Sequence, residues 1–564
     1  MLKKKLACEP FQYRITGDFP TTALLTTLPE GARPSTTASI HGAAEERAEP
    51  TPSPARTSIF YAGENETDLS SVFHSYSVAI IGAGPAGISA AAHLRNSPGA
   101  RGVDFEITLF EAGSSIGGQL AQFGSSDSSG GGGGPVFPYN DSALDPLCAE
   151  DVAGPALLWG NPLFTRSSED ILGGHAVEFF DLPSQKVGYY SGDRHQIVLQ
   201  TTRPYSQTPT WDWLGLILRY GASVWRAGGL LGEAGDLRER MASATDVASS
   251  AVADVPAILV SLFGDTALVH EGAPDTLRRL GISEGYAAEV LAPQVERGSP
   301  SVRMWGMNGL ALAMAAGRED AAHAHAGGDY AARIRDIAKA LGADVRVHSK
   351  VVGIEREGPG DGEGRNKTAA HWLLRHEGAD EAEAFDKVIV AAPGLEGLVV
   401  RAAGANSSVG AEEAVEFDAA HVTFFTASEF PGPLGGGGEA APQILFLDDD
   451  VGGGIHEVAY VREVVRHDRD GAGDGAPVVE HLYRCVSGAD VSEALLSDPG
   501  VTWMHHRRFD HAYPLTYPRT SYPSFAVGDG LWTTTAIHSV GSSLDLSWLA
   551  GRVVAQQVIE AVKK

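Results

Sequence analysis

The run Val78-Ala79-Ile80-Ile81-Gly82-Ala83-Gly84-Pro85-Ala86-Gly87, continuing Ile88-Ser89-Ala90-Ala91-Ala92, decides the fold. Four apolar residues read as a buried strand, the glycines as a tight turn, and the alanine-rich continuation as a helix. Gly82 permits the turn, Gly84 lets the backbone approach a pyrophosphate, and Gly87 allows the helix to pack closely on the strand. With Ala83, Pro85 and Ala86 they form a loop whose helix-terminal amides and positive dipole end suit phosphates.

Outward from this loop, Ile107-Thr108-Leu109-Phe110 predicts a second strand ending in Glu111, 24 residues beyond Gly87. A carboxylate at that spacing accepts ribose hydroxyls and repels a 2′-phosphate. Ile116-Gly117-Gly118-Gln119 then offers a second backbone approach to the same diphosphate. Further strands are expected at Ala343–Val347, Val351–Ile354 and Phe385–Pro393. Phe525-Ala526-Val527-Gly528-Asp529 comes before a helix reaching the C-terminus. Alternating strand and helix patterns indicate an α/β architecture built on a dinucleotide fold.

Composition narrows the partners. The 564 residues carry 43 Lys+Arg against 71 Asp+Glu, a formal net charge of −28 without any basic stripe, which argues against nucleic acid. No window has the length and apolarity of a membrane span, so no transmembrane segment is expected. Three cysteines without CxxC spacing exclude a zinc ribbon and a disulfide scaffold. His323 with His325, and His505 with His506, lack carboxylates at helical ligand spacing, so no metal site is expected. Residues 1–73, rich in Thr, Pro, Ala, Ser and Glu, are expected to form a disordered tail. Residues 125–150 read as a flexible Gly/Ser-rich insertion.

Compartment signals disagree. The opening Met1–Pro10 offers no signal-peptide apolar core. Yet four of the seven asparagines (Asn65, Asn140, Asn366, Asn406) head N-x-S/T triplets. The expectation leans to the secretory route, in a vacuole- or lysosome-like lumen or outside the cell. The oligomeric state is left open.

These nucleotide motifs resemble the FAD-binding domain shared by amine oxidases and related flavoproteins. The glycine pair after the ribose acid and the distant C-terminal segment favour FAD over NAD. More specifically, the chain resembles the prenylcysteine oxidase (prenylcysteine lyase) family. The resemblance rests on Gly188-Tyr189-Tyr190-Ser191-Gly192, Trp213–Gly221, Gly281-Ile282-Ser283-Glu284 and Val290–Val295. It is most specific at Ala512-Tyr513-Pro514, Leu531-Trp532, Ala536-Ile537-His538 and Ser542-Ser543-Leu544-Asp545-Leu546-Ser547. It covers roughly residues 74–560.

The implied fold is a discontinuous Rossmann-like FAD-binding domain (74–124, 326–400, 523–564) with an inserted mixed α+β substrate domain (151–325, 401–522). The resemblance implies a flavin-contacting C-terminal helix entered at Ser543 and Leu544. It also implies cofactor contacts at Val351 and Pro393. His538 and Asp545 are the candidate catalytic residues. The expected substrate is a small prenylated thioether, with O2 as acceptor. Its products are an isoprenoid aldehyde, cysteine and H2O2, in the catabolism of prenylated proteins. Trp213, Trp225, Trp305, Tyr513 and Trp532 are candidates to line a prenyl channel.

Departures from the family pattern leave the substrate open. The arginine after the glycine pair is Gln119 here, the glutamate before the final serine helix is His538, and Met-Glu-Met is Leu544-Asp545-Leu546. An FAD-dependent oxidase of amines or alcohols in secondary metabolism, or a non-catalytic lipid-binding glycoprotein of the same fold, are the alternatives.

Overall fold

Strand β1 (His74–Ile81) feeds the glycine turn into α1 (Pro85–Asn96), and the chain returns as β2 (Val103–Phe110). After α2 (Pro162–Ile171) come β3 (Phe179–Asp181), β4 (Val187–Ser191) and β5 (Gln196–Gln200). A helical stretch follows, including α3 (Thr210–Tyr220), α4 (Ser223–Ala242), α5 (Ala292–Glu296) and α6 (Gly309–Ala316). Next are β6 (His323–His325), α7 (Tyr330–Leu341), β7 (Asp344–Arg346) and β8 (Val351–Glu357). Strands β9 (His371–His376), β10 (Glu383–Phe385), β11 (Lys387–Val390) and β12 (Val399–Ala402) succeed them. Then come β13 (Phe417–Ala427), β14 (Ile444–Leu447), β15 (Ile455–Arg466), β16 (Val478–Ser487) and α8 (Ser492–Leu496). The chain closes with β17 (Val501–Pro514), β18 (Ala526–Gly528), β19 (Leu531–Thr533) and α9 (Leu544–Lys563).

This computed structural model describes residues 74–97, 100, 102–120, 161–175, 179–181, 186–191, 196–200, 210–242, 244, 254–297, 303–316, 323–325, 330–357, 371–393, 399–402, 415–430, 444–447, 454–466 and 478–563. The expected N-terminal tail, the 125–150 insertion and all four N-x-S/T asparagines lie outside them.

The quoted strand is apolar throughout because both of its faces are covered. β1 sits inside a six-stranded sheet of order β18-β19-β11-β1-β2-β7, parallel to both neighbours. Side chains alternate across a sheet, so Val78 and Ile80 join the helical core containing Ile88, Leu94, Trp548 and Val553. Ala79 and Ile81 face the other way, onto Val351, Ile354, Trp372 and Leu374 of a four-stranded sheet, β10-β9-β8-β12. The six-stranded sheet draws its strands from residues 74–110, 344–346, 387–390 and 526–533.

A separate seven-stranded sheet runs β17-β13-β16-β15-β14-β4-β5. One face buries Phe425, Leu445, Val458, Tyr483 and Cys485 together. Cys485 is fully enclosed, and burial pushes its thiol up to about 12, which leaves it inert. No helix among the described residues is long and apolar enough to cross a membrane.

Candidate active site

The glycine loop is built by close backbone approach. Gly82 adopts φ +101°, and a Cβ there would lie 2.9 Å from the Ala391 carbonyl oxygen. A Cβ on Gly87 would collide with the Gly82 carbonyl oxygen. Gly84 N-caps α1 with no side-chain cap, and Pro85 occupies the first turn, where a missing N–H costs nothing. No acidic residue stands in that first turn, so the dipole end is not neutralised locally.

Glu111 is fixed against this loop. The Ala83 N–H donates to its Oε2 (3.0 Å) and the Gly113 N–H to its Oε1 (2.8 Å). Each oxygen keeps a second lone pair for a ribose hydroxyl. The loop carrying Gly117 and Gly118 folds over the same turn, with the Gly117 N–H donating to the Ala83 carbonyl (3.0 Å). Gly118, at φ +58°, faces Gly84 closely enough that an added Cβ would lie 3.3 Å from the Gly84 Cα. The two glycine backbones therefore touch at the start of α1, and no side chain stands between a diphosphate and the main chain there.

The other expected cofactor residues come from β8, the end of β11 and the glycine-pair loop. The Ser349 N–H donates to the Glu111 carbonyl (2.8 Å), which brings the start of β8 beside Glu111. Val351 itself is buried between the two sheets. Pro393 is exposed, two residues beyond Ala391, whose N–H donates to the Ile81 carbonyl (2.8 Å). Gln119 turns its amide to the far sheet, donating to the His511 (2.7 Å) and Ala512 (2.9 Å) carbonyls of β17. That contact ties the glycine-pair loop to the seven-stranded sheet, a task its neutral amide performs with two N–H donors.

Helix α9 begins at a hydrogen-bonded cap. Ser543 Oγ accepts from the Leu546 N–H (3.1 Å), an N-cap at the residue before Leu544. The helix then packs closely on α1 at Gly551. A Cβ at Gly551 would collide with the Ala86 carbonyl oxygen and lie 2.8 Å from the Ser89 Cβ. The Ser89 hydroxyl also donates to the Trp548 carbonyl. Nothing local in the sequence marks Gly551 among the 68 glycines.

His538 lies in a 3-10 turn (Thr535–Ser539) after β19. Its ring meets Phe417 edge-on at 5.9 Å, and its Nε2 is 3.4 Å from Ser547 Oγ of α9. Burial pulls the imidazole down to about 4, against a smaller opposing effect of the Gly541 backbone, so it is neutral at pH 7.

Asp545 departs from its expected catalytic role. It has no exposed surface, and its oxygens accept the Phe164 (2.9 Å) and Leu163 (3.3 Å) N–H groups at the start of α2. It is a cap supplied across the fold for a helix whose own N-cap residue, Asn161, makes no side-chain cap bond. Burial raises the carboxyl to about 7 despite the two amides that favour its charge.

The expected aromatic lining does not gather as a set. Trp532 is in the helical core, whereas Trp225 is 63 % exposed on α4. Trp305 is exposed and Tyr513 half-buried. The Trp213 side chain lies outside the described residues.

The model of a prenylcysteine lyase family matches residues 205–564, and that of a Rossmann-like NAD(P)-binding domain matches residues 80–145. The chain belongs to the prenylcysteine lyase family. The Rossmann-like match coincides with the glycine loop and Glu111, and with the family match it makes this prenylcysteine lyase relative an oxidoreductase in architecture. A comparison with curated proteins found no match. Among solved structures, cyclohexylamine oxidase from Brevibacterium oxydans is similar at 15% identity and TM-score 0.48, covering 87% of this chain and all of that one. Putrescine oxidase bound to putrescine is similar at 12% identity and TM-score 0.45, covering 86% of this chain and 99% of that one. A fatty acid isomerase from P. acnes is similar at 11% identity and TM-score 0.45, covering 85% and 97%.

Proposed function

We propose that this protein is an FAD-dependent thioether oxidase that cleaves S-prenylcysteine to an isoprenoid aldehyde, cysteine and H2O2. The observation that carries the proposal is the prenylcysteine lyase match joined to a loop of facing glycines beside a fixed acid. The side-chain-free backbone at Gly84 and Gly118 and the start of α1, with no acid in its first turn, suit the approach of a dinucleotide diphosphate. Gly82–Gly87, Glu111, Gly117, Gly118 and Val351 would hold its adenosine and diphosphate parts. Ser543 and Leu544, at the start of α9, would face the flavin end with the positive end of the helix dipole.

Bound there, FAD would supply a hydride acceptor for the carbon attached to sulfur, with O2 as the final acceptor. The protein's share is orientation and electrostatics. The N-terminal amides of α9 would favour negative charge at their end of the site, although Asp545 stands in the same first turn. Neutral His538, held by Phe417 and Ser547, would place no charge beside an apolar isoprenoid, as an imidazolium would. Water addition to the oxidised carbon and collapse of the hemithioacetal need no protein nucleophile, and the fully enclosed Cys485 offers none.

The test is H2O2 release from the purified protein, given S-farnesylcysteine and S-geranylgeranylcysteine beside a panel of primary amines and alcohols. Turnover confined to the thioethers supports the proposal. Turnover confined to amines or alcohols replaces it with the other oxidase reading. We further propose a lumenal location, which a glycosidase-induced mobility shift of the native protein would support.

A further inference from the structure

Strand pairing in the seven-stranded sheet brings together three side chains that lie far apart in sequence. His506 on β17 stands opposite Thr423 on β13. His421, two residues earlier on β13, shares the face of Thr423 and is a diagonal neighbour of His506. The two imidazoles stack at 5.1 Å and 14°, with His421 Nδ1 2.9 Å from His506 Nε2. On the other side of β13, Ser487 pairs with His421 at the end of β16. The chain leaves the sheet there, and three residues later Asp490 sets its Oδ2 3.9 Å from His506 Nδ1. One ligand atom from each of the three residues lies within 4.8 Å of the others.

We propose that His421, His506 and Asp490 form a binding site for a divalent transition-metal ion of the zinc type. Two imidazoles with one carboxylate are a donor set for Zn2+ and its neighbours, whereas Ca2+ and Mg2+ favour all-oxygen shells. Zn–N bonds of about 2.0–2.1 Å in a tetrahedral shell place ligand nitrogens about 3.3 Å apart, so His421 Nδ1 and His506 Nε2 need to open by a few tenths of an ångström. The exposed Asp490 carboxylate, now nearest the other His506 nitrogen, swings round to the same ion. His421 is buried, His506 half-buried and Asp490 exposed, which gives the ion a path in and leaves a fourth position for water. The Ser492 N–H donates to Asp490 Oδ1 (2.9 Å), orienting the carboxylate from behind. The bound ion would clamp the segment between β16 and α8 onto β13 and β17.

The experiment uses the full chain, stripped with chelator and titrated with Zn2+ by calorimetry, as wild type, Asp490→Asn and His506→Gln. The wild type should show a site that each substitution removes or weakens by about tenfold or more. Zn2+ should also raise the thermal midpoint of the wild type more than that of either variant. Equal Zn2+ binding by all three proteins, or none by the wild type, overturns the proposal. Asp490 is exposed, so Asp490→Asn decides the question even where His506→Gln fails to fold.

Discussion

Glu111 is the residue on which nucleotide affinity should turn. Its carboxylate holds the Ala83 and Gly113 amides and leaves lone pairs for two hydroxyls. Hydrogen bonds to a charged group contribute about 1.5–3 kcal/mol each, so Glu111→Ala should weaken FAD retention by about tenfold or more. Flavin content after gel filtration reads this directly. His538 and Asp545 make opposite pH predictions although both owe their shifts to burial. The folded imidazole, at about 4, stays neutral while the unfolded one takes up a proton near 6.5, so its contribution falls as pH drops from 6.5 to 4. The folded Asp545 carboxyl, at about 7, takes up a proton that the unfolded one binds only near 3.8, so its contribution rises over the same descent. In the wild type the two slopes oppose. Asp545→Asn should lose stability on acidification more steeply, by up to about 1.4 kcal/mol per pH unit, in denaturant titrations between pH 7 and 4.

At the scale of elements, the contact of α1 with α9 decides where the two halves of the nucleotide site stand. Both helices approach through small residues, and Gly551 leaves no room for a methyl group against Ala86 and Ser89. Gly551→Ala should therefore lower stability by about 1–3 kcal/mol and reduce flavin content, as measured by thermal melting and absorbance. An unchanged melting curve would show that the helices can separate without cost. The glycine loop was legible from sequence because its meaning is local: strand, turn and helix follow one another between Val78 and Ala92. The Gly551 contact was not, because it depends on which helix α9 meets. Asp545 shows the same limit, since its partners Leu163 and Phe164 lie more than 380 residues away. A helix-start acid invites a local reading, and only the fold reveals that it caps another helix.

Across the whole molecule, the seven-stranded sheet is joined to the helical layer through a buried charge. Glu457 on β15, 1% exposed, accepts from Arg297, just past α5 (3.0 Å), and from Arg484 on β16 (2.6 Å). Burial pushes the carboxyl up, but Arg484 and Arg297 together hold it below its ordinary value. Glu457→Gln would leave two buried cations short of their counter-ion and should cost about 3–5 kcal/mol, measured by chemical denaturation. Neither this group nor the His421–His506–Asp490 set was visible in sequence, because sheet register assembles both. The family resemblance reached further, since blocks such as Ala512-Tyr513-Pro514 and Ser542–Ser547 carry their spacing with them. A prenylated thioether is the substrate proposed for this fold. Its most direct test is anaerobic mixing of the flavin-loaded protein with S-farnesylcysteine, following the visible flavin absorbance. A thioether oxidase bleaches within a single turnover, releasing farnesal and free cysteine. A flavin that stays oxidised with the thioether, yet bleaches with an amine or an alcohol, would contradict it.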